Sequence, residues 1–119
     1  IVVPIANLAK LIAGLKNISQ KYAINIVNFG HAGNGNIHVN LLTNTSSYED
    51  SNLQKCLLDV FDLVLQLNGT LSGEHGVGIV KRDYIEKELD SNALKIMRSI
   101  KEKFDPNNIL NPGKTLPAE

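Results

Sequence analysis

Two runs of β-type composition, separated by a short glycine-containing stretch that does not continue a strand, set the main constraint on what this chain can fold into. Residues 23–30 (AINIVNFG) are rich in Ile, Val and Phe, and residues 36–43 alternate Ile37, Val39 and Leu41 with Asn36, His38 and Asn40. Between them, AGNG is expected to turn, because Gly33 and Gly35 allow positive φ and Asn34 tolerates it. The expected product is an antiparallel hairpin with one apolar face for helices to cover and one polar face.

The covering helices are legible on either side. Residues 5–20 place Ile5, Leu8, Leu11, Ile12, Leu15 and Ile18 on one helical stripe, with Pro4 suited to the first turn. After the polar stretch TNTSSYED, expected as a loop, a second helix is predicted over about 49–67, with Leu53, Leu57, Val60, Phe61, Val64 and Leu67 inward. Asn68-Gly69 ends it, with Gly permitting a left-handed conformation. Residues 70–72 read as short and extended, 73–78 as a glycine-rich loop, and 81–89 as a short charged helix that Lys81 and Arg82 start from an exposed position. Asp90 or Ser91 caps a further helix to about Lys103, with Leu94, Met97, Ile100 and Phe104 inward. The tail FDPNNILNPGK is expected to be ordered and turn-rich, with Lys114 solvated. The fold class is α+β.

At 119 residues the chain fits one domain with a modest core. Twelve basic residues balance twelve acidic ones, which argues against nucleic-acid binding, and an aromatic content of 5 % argues against base stacking. The single cysteine, Cys56, lies in an apolar helical pattern and is expected as a buried thiol. No apolar run is long enough to span a bilayer. A start at Ile1, directly before an amphipathic helix, suggests a piece of a longer protein or a processed product.

All three histidines fall in two glycine-rich motifs: His31 and His38 in GHAGNGNIHVN, and His75 in SGEHG. If the hairpin loop holds an even number of residues, His31 and His38 project from one face. With a two-residue turn they face each other; with a four-residue loop His31 faces Asn36 and His38 is its diagonal neighbour, their bases roughly 5–8 Å apart. Two imidazoles at that spacing suit one divalent ion, although Asn36, Asn40 or a backbone carbonyl would equally satisfy a structural histidine. Glu74 and His75 are adjacent, so an extended backbone would send their side chains to opposite sides. That arrangement fits Glu74 as a ligand and His75 as a general base, or a surface loop with a structural carboxylate. GEHGVG lacks the preceding buried strand and the spacing of a dinucleotide fingerprint.

Taken together and in order, GHAGNGNIHVN, NGTLSGEHGVG and FDPNNILNPGK resemble the C-terminal part of FAD-linked oxidases of the glycolate oxidase D-subunit, D-lactate dehydrogenase and D-2-hydroxyglutarate dehydrogenase type, within the vanillyl-alcohol-oxidase superfamily. The resemblance covers nearly the whole chain. It implies that residues 1–119 are a C-terminal substrate-binding cap fragment, a partial ferredoxin-like antiparallel sheet packed on helices, with the main FAD-binding domain elsewhere. It further implies that His31, His38 and Glu74 hold zinc or manganese, that His75 removes the 2-hydroxyl proton, that Asn40 contacts substrate and that Asn111 lies near the flavin. Asn34 stands where the family commonly has Asp, which alters the charge of the turn more than the site. The expected partners are a small 2-hydroxy acid, an electron-transfer partner and a second copy paired through an exposed sheet edge. The expected location is cytoplasmic, peripheral to the inner membrane, or mitochondrial in a eukaryote. The alternative is a stand-alone α+β metal-binding or regulatory module; an upstream flavin domain in the parent gene would decide against it.

Overall fold

In the computed structural model, which describes residues 1–43 and 50–118, the stripe expected over 5–20 forms a 3-10 turn, Ile5–Asn7, followed by α1, Leu8–Tyr22. Leu11 and Leu15 are fully buried, while Ile5 is 58 % exposed. The 3-10 turn winds at three residues per turn, so Ile5 falls out of register with the α-helical stripe it was expected to join. The chain divides into two compact units, Ile1–Gly73 and Glu74–Glu119.

In the first unit, β1 (Asn25–His31) and β2 (Asn36–Leu42) pair antiparallel, from Asn25 opposite Leu42 to His31 opposite Asn36. The loop therefore has four residues, one of the two lengths that keep both histidines on one face. It is a 3-10 turn, Ala32–Asn34, closed by Gly35 at a φ of 74°. Asn34 Oδ1 accepts a hydrogen bond from the Asn36 amide at 3.1 Å, a local bond that an Asp at 34 would also make. Of the two turn glycines only Gly35 uses positive φ, and a Cβ there would also lie 1.9 Å from the Val3 carbonyl oxygen. Gly35→Ala is therefore expected to destabilise the protein by about 2–3 kcal/mol or more in chemical denaturation, from left-handed strain plus a backbone clash.

That clash partner belongs to a short edge. Val2 bridges Asn36 on one side and Thr70 on the other, both antiparallel. The bonds are Ile37 N–H to Ile1 carbonyl at 2.9 Å, Val3 N–H to Gly35 carbonyl at 3.1 Å, and a reciprocal Val2–Thr70 pair at 3.1 and 2.8 Å. The order across the sheet is thus Thr70, Val2, β2, β1, along a strand–helix–strand–strand–helix–strand path. This is the split β-α-β arrangement of ferredoxin-like folds, with two of its four strands reduced to single bridges.

The loop expected over 43–50 lies mostly outside the described residues. The helix after it, α2, spans Ser51–Gln66, and Asp50 caps it by accepting from the Asn52 and Leu53 amides. Cys56, Val60, Phe61 and Val64 are buried, and burial pushes the Cys56 thiol above its ordinary pKa. At the C-terminal end Asn68, not Gly69, takes the left-handed conformation. Gly69 is needed for a different reason: a Cβ would sit 2.3 Å from the Val2 carbonyl oxygen. The core joins Val3, Leu11, Leu15, Ile37, Val60 and Val64, with Ile26, Val39 and Leu63 packed against it. Helices therefore cover the Ile26, Ile37 and Val39 face; Leu41, expected in the same layer, is only half-buried.

In the second unit a 3-10 helix, Arg82–Lys87, replaces the short α-helix expected over 81–89, and α3 follows as Ser91–Phe104 with Asp90 as its cap. Arg82 is not an exposed start: it is half-buried and donates from Nη1 to the Gly113 carbonyl at 2.8 Å. On α3 only Leu94 of the expected stripe is buried; Ile100 is 55 % and Phe104 83 % exposed. The heptad-like pattern makes the helix, but within this unit the buried apolar residues are Ile85 and Leu94, too few to cover the stripe. Met97, Ile100, Phe104 and Leu110 instead line an open groove of about 470 Å³.

The tail is ordered, as expected. The Asp105 carboxylate pairs with the Lys101 ammonium and accepts from the Ile109 and Leu110 amides, both at 2.9 Å. The lysine first, and the two amides after it, hold Asp105 below its ordinary pKa. A depressed native pKa means that this contribution is present above the ordinary carboxylate range, about pH 4, and is lost as pH falls through the native value. The protection of the Ile109 and Leu110 amides against exchange, measured relative to their intrinsic rates, is expected to fall on acidification below about pH 4, and Asp105→Asn should abolish that dependence. Among the described residues no helix is long and apolar enough to cross a membrane.

Candidate functional site

The face of the hairpin turned away from the helices carries Val27, Phe29 and His31 from β1 and Asn36, His38 and Asn40 from β2, as the register requires. The His31 and His38 rings meet edge to face, their centroids 6.1 Å apart at an interplanar angle of 76°. Phe29, directly opposite His38, stacks on it with centroids 5.0 Å apart and planes 28° apart. Asn40 is exposed on the same face, opposite Val27. The strand pairing thus brings three of the six candidate residues together.

Glu74 and His75 open the second unit. They do not diverge as an extended backbone would make them, because the chain bends through residues 73–75. His75 Nε2 and Glu74 Oε1 lie 3.7 Å apart, an ion-pair distance longer than a hydrogen bond, with side chains 71 % and 48 % exposed. Carboxylate and imidazole therefore open towards the same solvent. Asn111 is exposed in the tail at a positive φ, and its Oδ1 accepts from Lys114 Nζ at 3.1 Å, so Lys114 is tethered.

Two imidazoles and a carboxylate are borderline-to-hard donors of the kind that suit zinc or manganese. Metal–nitrogen bonds of about 2.0–2.1 Å put the ring centres of two ligating histidines roughly 5 Å apart. The observed 6.1 Å is within about an ångström of that, a gap that side-chain rotation closes. The histidine pair fits a shared cation. Phe29 escapes a composition-based reading, which treats it as a strand former. The signal that finds it is parity: two residues before His31, it shares the histidine face.

A family model described as FAD linked oxidases, C-terminal domain, matches residues 1–115. The chain belongs to that family. Its relatives include the glycolate oxidase subunit GlcD of Bacillus subtilis, 38 % identical over 113 residues, covering 94 % of this chain and 24 % of that protein. The D-2-hydroxyglutarate dehydrogenase of Stutzerimonas stutzeri is 44 % identical over 96 residues, 78 % of this chain and 21 % of that protein. The mitochondrial D-lactate dehydrogenase [cytochrome] of Arabidopsis thaliana is 40 % identical over 117 residues, 97 % of this chain and 20 % of that protein. The chain thus spans between a fifth and a quarter of the length of these relatives.

Proposed function

We propose that residues 1–119 form the substrate-facing C-terminal part of an FAD-dependent dehydrogenase or oxidase of D-2-hydroxy acids such as glycolate or D-lactate. The carrying observation is the pair of imidazoles that the β1–β2 register sets on one face, 6.1 Å apart, in a member of an FAD-linked oxidase family. His31, His38 and Glu74 would hold a divalent cation, zinc or manganese, which would supply positive charge at the substrate's 2-oxygen. The imidazole of His75 would accept the 2-hydroxyl proton, and FAD, when bound, would supply the acceptor for the hydride from C2. Asn40, on the histidine face, would hydrogen-bond the substrate, and Asn111 would contact the flavin. FAD is held mainly by the rest of the protein, so the isolated chain is inactive.

The test is turnover of a panel of D- and L-2-hydroxy acids by the whole protein with a dye acceptor. At least one D-acid or glycolate is expected to reduce the dye, at rates well above the L-acids. No turnover with any member would refute the assignment.

Two further parts of the reading stand beside it. β1 pairs only with β2 among the described residues, and its other edge is proposed to pair with a second copy; a monomer in size-exclusion chromatography would remove that idea. A separate electron-transfer partner is part of the same proposal. The proposed location is the cytoplasm, the inner membrane as a peripheral protein, or mitochondria; the name of the Arabidopsis thaliana relative says mitochondrial of that protein.

A further inference from the structure

We infer that Phe29 is a positioning residue for the His38 ligand, an inference that rests on the cation reading above. Phe29 is a large apolar side chain left 58 % exposed on the face that the helices do not cover, where core packing gives it no reason to be. Its ring lies against one imidazole, 5.0 Å from that of His38 and 28° from parallel. From the same strand, two residues on, His31 presents its ring to His38 at 6.1 Å and 76°. The His38 imidazole is therefore held between two rings projecting from β1, one stacked and one edge-on.

A metal ligand is held by whatever restricts its ring, and loss of such support costs affinity as surely as loss of charge. His38 is directly opposite Phe29 in the register, where cross-strand side chains are closest and an aromatic pair contributes most. Phe29 carries no donor atom, so its part is confined to orientation. The flat ring limits the imidazole's rotation and so fixes the direction in which its nitrogens point. A residue that only filled space would be replaceable by Leu; one that orients a ring needs another ring.

The experiment measures zinc and manganese affinity of the whole, metal-depleted protein by competition with a chromogenic chelator, for wild type, Phe29→Leu, Phe29→Tyr and His38→Ala. Phe29→Leu is expected to weaken binding about 10- to 100-fold, Phe29→Tyr to stay within about threefold of wild type, and the thermal midpoint of the metal-free protein to be unchanged in both. The His38 ring-proton resonances should also lose their upfield ring-current shift in Phe29→Leu and keep it in Phe29→Tyr. If Phe29→Leu binds metal as wild type does while His38→Ala does not, the positioning role is wrong and the cation site stands. If His38→Ala also binds normally, the cation reading fails and this inference fails with it.

Discussion

His75→Asn is expected to slow flavin reduction by the preferred D-2-hydroxy acid about 100- to 10,000-fold, with little change in substrate affinity. The proton on the 2-hydroxyl must leave as hydride departs from C2, and a neutral amide cannot take it. Rapid-mixing absorbance of the flavin, followed over a substrate titration, separates the two quantities. Because the His75 side chain is 71 % exposed on a bend, the substitution should leave the fold intact. A loss smaller than about tenfold would assign the proton to another group.

Removing either hairpin histidine is expected to be nearly as costly. His31→Ala and His38→Ala each delete one nitrogen from the proposed three-residue donor set, and metal affinity should fall by at least about 100-fold, with turnover following the metal content. The first unit's core does not draw on either imidazole, so thermal stability of the metal-free protein should barely move. The double variant should be scarcely worse than either single one, because groups that act through one ion are not additive. Elemental analysis showing wild-type zinc and manganese content in both variants would contradict the ligand assignment.

The hairpin and its parity were readable because a strand's period of two leaves no freedom once the loop length is even: Ile37 and Val39 inward force His38 outward. The α1 and α2 cores were readable for the same kind of reason, since a 3.6-residue period concentrates Leu11, Leu15, Val60 and Val64 on single stripes. Three things escaped. Val2 and Thr70 complete the sheet by single bridges, and one residue carries no periodicity to detect. Glu74 and His75 face the same way because the backbone bends, and a glycine-rich loop announces that it bends without saying how. On α3 the apolar pattern predicts a helix correctly but not what covers it, so Ile100 and Phe104 stay exposed within their unit. Of the site, positions on strands were legible in direction, while those on loops were legible only in chemistry.

His31 and His38, which share one hairpin face, are proposed to serve hydride removal from a 2-hydroxy acid to FAD. Anaerobic mixing of the whole flavoprotein with D-2-hydroxy acids, protiated and deuterated at C2, tests it in one measurement. At least one of these acids is expected to bleach the oxidised flavin, severalfold more slowly when deuterated. A flavin that stays oxidised with every member of the panel, or that bleaches at the same rate with either isotope, would contradict it.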